Sequence, residues 1–213
     1  MKRYYDEYHQ GGAGASSFVK DKNIPLNDIS KALFIERYLR GRILDVGCGS
    51  GFDVSYFHSK GCEIEGCDIS EIAVEHAKKR FPGLKFFVHD FESSKFDKKY
   101  DTICCFEVLE HILDYQSFLK NMAASLEERG RLIISTPNIF GLRSYLRLIL
   151  RDGTVFGIGT SDDSHIRFFS VDTLSNTLIK AGFRIVKVKT FSTSRIPCPS
   201  GWGGSIATVC EKS

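Results

Sequence analysis

Two kinds of hydrophobic spacing alternate along most of the chain. Short apolar runs are followed by segments in which apolar positions recur every three or four residues. The first pattern is typical of buried strands, and the second of helices that cover a sheet. Alternation of the two predicts an α/β fold with a mostly parallel sheet and helices on both of its faces.

The pattern predicts a cap helix after Asn27, then a regular alternation. The predicted strands are Ile43–Val46, Cys62–Cys67, Phe86–Val88, Thr102–Phe106 and Arg131–Ser135, and the predicted helices are Asp53–Lys60, Glu71–Arg80 and Tyr115–Glu127. Beyond residue 164, a helix that ends at Gly182 precedes two strands, Phe183–Phe191 and Ser205–Cys210. Because no helix separates these two strands, we expect an antiparallel hairpin at one edge of the sheet.

A length of 213 residues fits one domain, so we expect a single domain over residues 1–213. Within it the pattern distinguishes four parts. They are a lead-in and cap helix at 1–40, a core at 41–138, an inserted segment at 139–164, and a C-terminal helix with closing strands at 165–213.

Composition narrows the class of protein. The net charge of +3 is too small to indicate a nucleic-acid partner, and no apolar run is long enough to span a bilayer. The first ten residues lack the apolar stretch of a secretory signal. Seven cysteines without a C-x-x-C pattern indicate free thiols rather than disulfides or a zinc site. These features predict a cytoplasmic protein.

The glycine-rich stretch after the first predicted strand indicates a ligand site. Gly47, Gly49 and Gly51 lie where ligands bind in parallel sheets, beyond the carboxyl ends of the strands. Glycine there allows a tight turn and lets backbone N–H groups approach a ligand. The third glycine comes one residue too early for the dinucleotide pattern G-x-G-x-x-G.

Two acids extend this site. Asp68 ends the second predicted strand, where a carboxylate can accept hydrogen bonds from ribose hydroxyls of NAD or of any other adenosine ligand. Asp90 ends the third strand, where it can accept a hydrogen bond from an adenine amino group or simply cap a turn. A nicotinamide-dependent oxidoreductase therefore remains an alternative at this point.

The motifs "ILDVGCGSG", "GCDIS", "VHDFE", "FEVLEHI" and "ISTPN" follow one another over residues 41–138. In order and spacing the chain resembles class I S-adenosylmethionine-dependent methyltransferases. It is most similar to the small-molecule branch that includes the ubiquinone-biosynthesis O-methyltransferases. The resemblance implies a Rossmann-like, doubly wound, seven-stranded sheet with an antiparallel last strand, and methyl transfer to a small organic acceptor, expected at oxygen.

The same resemblance implies S-adenosylmethionine as the cofactor and assigns residues to it. The three glycines would line the methionine moiety, with Asp45 beside them at the start of the loop. The remaining expected cofactor contacts are Asp68 and Ile69 at the ribose, Asp90 and Phe91 at the adenine, and Glu107 and Val108 beneath the cofactor. A protein that binds this cofactor without turnover is a second alternative.

Two histidines are candidates for the base that an oxygen acceptor needs. His111 lies one helical turn after Glu107, and His165 precedes "IRFFS". Either can instead have a packing role. Asp162 and Asp163 could join His165 around a metal, but adjacent acids in a polar loop are more often solvated, so no metal is expected.

The segments around the expected acceptor pocket are less informative. Arg143, Arg147 and Arg151 share one face of a predicted amphipathic helix. Such a helix over residues 139–151 can cover the acceptor as a lid, or contact an anionic membrane or lipid. Arg37, with a tyrosine of the lead-in (Tyr5 or Tyr8), is a candidate for the methionine carboxylate. The sequence does not indicate an oligomeric state.

Overall fold

A computed structural model of the protein describes residues 26–138, 165–191 and 203–213. Its strands are β1 (Arg42–Val46), β2 (Glu63–Asp68), β3 (Phe86–Val88), β4 (Tyr100–Phe106), β5 (Leu126–Pro137), β6 (Phe183–Phe191) and β7 (Ser205–Lys212). Its helices are α1 (Leu26–Glu36), α2 (Phe52–Ser59), α3 (Glu71–Arg80), α4 (Tyr115–Ser125) and α5 (Val171–Lys180), with a 3-10 turn at Leu109–His111.

The strands of the described residues form one seven-stranded sheet in the order β3-β2-β1-β4-β5-β7-β6. Strands β1 to β5 pair in parallel, and β7 runs antiparallel to both of its neighbours, β5 and β6. The carboxyl ends of the parallel strands and the start of β7 therefore share one edge, which we call the carboxyl edge. The predicted fold class and its antiparallel hairpin are confirmed.

Side chains along β4 show how the sheet is covered on both faces. Ile103 and Cys105 belong to one buried cluster, together with residues of α4 and α5. Cys104 and Phe106 belong to a second cluster, together with residues of α1, α2 and α3. Because both faces are buried, the second half of the strand, residues 103–106, is a continuous apolar run instead of alternating with polar residues.

Capping residues fix where two helices leave the carboxyl edge. The Ser70 side chain accepts a hydrogen bond from the Ala73 backbone N–H at 3.2 Å, at the start of α3. At the start of α5, Ser170 and Thr173 form a reciprocal capping box. Each such cap is worth about 1 kcal/mol, so the polar residues after the strands help to set the helix starts.

Strand β5 is longer than the sequence pattern predicts. It begins at Leu126 rather than Arg131, and α4 accordingly ends at Ser125 rather than Glu127. The added residues are mostly charged and half-buried or exposed, so they give no apolar signal. The pairing of Tyr100 with Leu126 across a register shift makes them part of the sheet.

Several expectations concern residues outside the described ranges. They include Tyr5 and Tyr8 of the lead-in, the amphipathic segment 139–151 and the acids Asp162 and Asp163. Within the ranges that the structure describes, no helix is long and apolar enough to cross a membrane. Arg37 is described and lies exposed in the turn that follows α1.

Candidate active site

The glycine loop between β1 and α2 turns by placing alternate residues in the left-handed region. The φ angles are 76° at Gly47, 50° at Gly49 and 80° at Gly51. The backbone N–H groups of Gly47 and Cys48 both donate to the carbonyl of Cys67, at 2.8 and 3.0 Å. These two bonds tie the loop to the end of β2. Residues other than glycine are strained at such φ values, so the backbone conformation of the loop requires glycine at these three positions.

Two of the glycines also leave no space for a side chain. A Cβ at Gly47 would lie 2.4 Å from Cγ2 of Val108, the residue that follows Glu107 at the end of β4. A Cβ at Gly51 would lie 2.6 Å from the Phe86 ring and 3.0 Å from Ala77. Gly47 thus packs the loop against the end of β4, whereas Gly51 packs α2 against β3 and α3. The expected role of Gly51 at the methionine moiety stays a prediction.

The Asp68 carboxylate connects the loop to the next helix. One oxygen accepts from the Gly49 N–H and the other from the Ser70 N–H, both at 2.9 Å. A carboxylate offers about four acceptor positions, so these bonds are compatible with a ribose hydroxyl as a further donor. Ile69 lies half-buried between the two contact points. The geometry is consistent with the predicted ribose site.

Asp45 is a buried acid beneath the loop. Its side chain is 2% exposed, and within the described residues its Oδ2 atom has no hydrogen-bond partner. Burial, with the nearby carboxylates of Asp53 and Asp68, raises the pKa of Asp45 well above its ordinary value. A cationic ligand above it would counteract all three effects.

The expected adenine contacts are more ambiguous. One Asp90 oxygen accepts from the Glu92 N–H at 2.8 Å, and the other from the Ser93 hydroxyl at 2.5 Å. The ring of Phe91 is 2% exposed and packs against Phe118. Asp90 therefore stabilises its own turn, as its alternative interpretation predicts, and the adenine role of both residues stays a prediction.

A buried ion pair lies where β4 ends. Glu107 adopts a left-handed φ of 54°, and its Oε1 atom accepts from Lys31 Nζ at 2.6 Å. The hydroxyls of Ser135 and Ser205 donate to the same oxygen at 2.8 and 3.3 Å. Burial alone would raise the pKa of Glu107, but the Lys31 ammonium and these hydrogen bonds hold it below its ordinary value.

Sequence reasoning missed Lys31, although a signal for it exists. The lysine is 5% exposed and lies three and four residues before Phe34 and Ile35, which are both buried. It therefore occupies the inner face of α1. A charged residue at an apolar position of a helix requires a buried partner, which only the fold identifies.

The two candidate histidines meet beside a buried acid. The ring centroids of His111 and His165 are 4.6 Å apart. Glu110 is 1% exposed, and its backbone carbonyl accepts from the N–H groups of Ile166 and Arg167 at 3.0 and 3.1 Å. These backbone bonds hold the segment that carries His165 against the 3-10 turn that carries His111.

Glu110 itself was not predicted as a site residue. Its Oε2 atom accepts from the Thr136 hydroxyl at 3.1 Å, while Oε1 has no partner among the described residues. Burial and the charge of Glu107 raise the pKa of Glu110 well above its ordinary value. The ligand atoms of Glu110, His111 and His165 lie within 4.8 Å of one another, a donor set that can hold a divalent cation. The expectation that no metal is used stays a prediction.

Comparison with known proteins identifies the family. Residues 25–188, well over half of the chain, match a family described as methyltransferase domain. The chain belongs to this methyltransferase family. The prediction of an S-adenosylmethionine-dependent methyltransferase is therefore confirmed, and the family membership favours methyl transfer over nicotinamide chemistry.

Named relatives of this methyltransferase agree with that assignment. It is 31% identical over 159 residues to a ubiquinone biosynthesis O-methyltransferase of Coxiella burnetii, covering 70% of this chain and 67% of the relative. A protein of the same name from Rickettsia canadensis is 27% identical over 167 residues, which is 76% of this chain and 67% of that protein.

A solved structure shows the same fold. Magnesium protoporphyrin IX methyltransferase from Synechocystis PCC 6803, solved with bound SAH, superposes with a TM-score of 0.72 at 20% identity. The superposition covers 100% of both chains. At this identity the likeness concerns the fold alone.

The residues at the glycine loop fit S-adenosylmethionine. The cofactor carries a sulfonium and an ammonium group, and the loop places a buried acid, Asp45, whose Oδ2 has no partner in the described ranges, beneath a bare backbone turn at Gly47. S-adenosylmethionine has no pyrophosphate. A glycine spacing that is shorter than the spacing in dinucleotide sites is therefore compatible with it.

Proposed function

We propose that the methyltransferase transfers a methyl group from S-adenosylmethionine to an oxygen atom of a small organic acceptor. The observation that carries this proposal is the pairing of His111 and His165, whose ring centroids are 4.6 Å apart at the carboxyl edge. A hydroxyl acceptor has to lose a proton, and imidazole is the side chain whose ordinary pKa suits that transfer near neutral pH. The names of the Coxiella and Rickettsia relatives give further support.

The cofactor contacts proposed here are those that the resemblance to S-adenosylmethionine-dependent methyltransferases implies, and the unpartnered Oδ2 atom of buried Asp45 supports them. Gly47, Gly49 and Gly51 give the methionine moiety a bare backbone, and Asp45 gives it a negative charge. The ribose contacts are Asp68 and Ile69, the adenine contacts Asp90 and Phe91, and the contacts beneath the cofactor Glu107 and Val108.

When bound, S-adenosylmethionine supplies a methyl group that is already activated by the positive charge on sulfur. The chain has to hold the acceptor oxygen about 3 Å from that methyl group, in line with the carbon–sulfur bond, and to exclude water. His111 or His165 takes the proton from the hydroxyl as the oxygen–carbon bond forms. The electron pair of the broken bond remains on sulfur, so charge and protons balance.

Single-turnover measurements of methyl transfer test the role of the histidines. We expect His111→Ala or His165→Ala to slow the transfer about 100-fold at saturating cofactor, with little change in cofactor affinity by calorimetry. His76→Ala, which alters an exposed histidine on α3, is the matched control. Near-normal rates in both test variants would exclude a base among the two and remove the main support for an oxygen acceptor.

An unbiased labelling experiment can identify the acceptor itself. Incubation of the protein with a radiolabelled methyl donor and fractionated cell metabolites should label a small molecule with a new O-methyl group. Label on nitrogen or carbon would contradict the proposed acceptor atom.

We also propose that the protein acts in the cytoplasm, because the six cysteines in the described ranges are free thiols.

A further inference from the structure

Three elements supply hydrogen bonds to one carboxylate at the end of β4. Lys31 comes from α1, Ser135 from β5 and Ser205 from β7, and all three donate to Oε1 of Glu107. Lys31 also donates to the Ser205 hydroxyl at 3.1 Å, and the Glu107 N–H donates to the Ser135 carbonyl at 2.9 Å. The side chain and backbone of Glu107 are thus fixed together.

The contacts to this carboxylate are asymmetric. Among the described residues every hydrogen bond to Glu107 goes to Oε1 and none to Oε2. Oε2 is not one of the buried polar atoms that lack a partner, and the Glu107 side chain is 20% exposed, whereas that of Lys31 is 6% exposed. The second oxygen of the carboxylate is therefore the accessible one.

The position of Glu107 relates this oxygen to the glycine loop. The next residue, Val108, lies against Gly47 so closely that a Cβ on the glycine would overlap it. Glu107 also holds a positive φ that residues other than glycine adopt only under constraint from their surroundings. The backbone of Glu107 is therefore held directly before the residue that packs against the loop proposed to bind the methionine moiety.

We propose that Lys31 is a positioning residue for methyl transfer: it keeps Glu107 ionised and turned so that Oε2 faces the positively charged sulfur of the donor. The inference rests on the proposed use of Glu107 beneath the cofactor. Lys31 acts through Glu107, because its ammonium donates to the Oε1 atom of the carboxylate. Without that ammonium, a carboxyl so enclosed takes up a proton and loses its charge.

The charges around Glu107 make the proposal testable. Glu107 is surrounded by Lys31 from α1, Glu110 from the 3-10 turn, Cys105 from β4, and the hydroxyls of β5 and β7. Lys31 is the positively charged group among these neighbours of Glu107. Removing either member of the ion pair therefore changes the charge next to the donor in a different way.

The experiment compares the affinities of S-adenosylmethionine and of its demethylated product, S-adenosylhomocysteine, by calorimetry. The two differ in the charge on sulfur, so their affinity ratio reports the charge beside it. In Lys31→Met we expect this ratio to fall about tenfold, because Glu107 becomes neutral. In Glu107→Gln it should fall further, because the Lys31 ammonium then remains near the sulfonium without the carboxylate that offsets its charge. The double variant should match Lys31→Met.

The pH dependence of the ratio separates positioning from simple packing. In Lys31→Met the ratio should recover as the pH rises and Glu107 ionises again, whereas the wild type and the double variant should not change in that way. Melting temperatures of the ligand-free variants identify any that do not fold, and the double variant, which has no unpaired buried charge, provides a folded reference. Lys120→Met, at an exposed position on α4, is the matched control.

Three outcomes would overturn the proposal. An unchanged ratio in Glu107→Gln would show that Oε2 does not face the sulfur. A higher ratio in Lys31→Met would show that Glu107 stays ionised without its partner and that Lys31 only repels the donor. A wild-type chain that binds neither ligand would overturn this inference together with the cofactor site. If both ligands bind but no acceptor oxygen is methylated, the proposed function alone fails.

Discussion

The glycine loop and the end of β4 meet where Gly47 lies against Val108, but the two regions are built in opposite ways. The loop is held by hydrogen bonds from its backbone N–H groups to Cys67 and Asp68, at the end of the neighbouring strand β2. The partners of Glu107 come from α1, β5 and β7, which lie 76, 28 and 98 residues away in sequence. The hydrogen bonds of the loop thus stay within the unit of β1, α2 and β2, whereas the Glu107 site exists only once the sheet is complete.

The two regions also differ in how they treat a buried acid. Asp45 beneath the loop has an oxygen with no partner among the described residues and a raised pKa, while Glu107 is paired with an ammonium and has a lowered pKa. Within the described part of the chain, Asp45 therefore lacks a cation that the proposed ligand would supply, whereas Glu107 already has one from the protein. This difference suggests that the loop contributes more to cofactor affinity and the β4 end more to orientation.

The largest expected effect concerns the stability of the β4 end. Lys31→Met should destabilise the ligand-free protein by about 3 kcal/mol, because it leaves Glu107 without its buried partner. Adding Glu107→Gln should recover much of that loss, as measured by urea unfolding. If the double variant were no more stable than Lys31→Met, the pair would have no electrostatic role in folding.

The next prediction concerns the loop. Gly47→Ala should weaken cofactor binding by at least about 100-fold, because its Cβ would overlap Val108 and its φ of 76° is strained for alanine. Gly61→Ala is the matched control, since Gly61 has a φ of 86° but no atom within 4 Å of the added Cβ. It should cost about 1 kcal/mol of stability and leave the cofactor affinity unchanged.

A smaller effect tests the unpaired acid. Because the pKa of Asp45 is raised in the folded state, the folded protein holds its proton more tightly than the unfolded chain does. Stability from this group is present below the ordinary pKa of aspartate and is lost as the pH rises through the raised value. Asp45→Asn should therefore raise the melting temperature of the ligand-free protein at neutral pH but not at acidic pH.

The same substitution should act in the opposite direction on binding. Removal of a charge-assisted contact is expected to weaken S-adenosylmethionine about tenfold in calorimetric titrations at neutral pH. If Asp45→Asn lowered stability at neutral pH and left the affinity unchanged, Asp45 would be a packing residue and the contrast with Glu107 would disappear.

The last prediction concerns metal removal, for which we expect no change in activity. Methyl transfer should be unchanged after exhaustive treatment with a chelator, because the site is predicted to work without a metal. The cluster of Glu110, His111 and His165 makes this a strict test, since its ligand atoms are close enough to hold a divalent cation. Loss of activity that magnesium or zinc restores would contradict the prediction and assign the cluster to a metal.

The sequence predicts those features that depend on neighbours along the chain. The sheet and the hairpin follow from the periodicity of apolar residues and from the order of the predicted strands and helices. The close fit of Gly47 against Val108 does not follow from the sequence pattern, because it depends on the register in which β1 pairs with β4. The spacing of residues within one segment does not predict the distance between Gly47 and Val108, which follow different strands.

The contacts of the histidines and of Glu107 depend even more on the folded structure, so the sequence alone predicts them less well. His111 and His165 were separate candidates in the sequence, and their contact depends on backbone bonds from Glu110 to Ile166 and Arg167. Lys31 carries a helical-spacing signal, but its partner Glu107 is set by tertiary packing. Spacing therefore reveals that a buried charge exists, and only the fold reveals what neutralises it.

The position of β7 has a consequence for protein synthesis. β6 leaves the ribosome earlier, yet in the described sheet it pairs only with β7, which separates it from β5. Until β7 emerges, β6 has no strand to join and β5 exposes an open edge that can recruit other chains. Nascent chains of this enzyme should therefore depend on chaperones most between the emergence of β5 and that of β7.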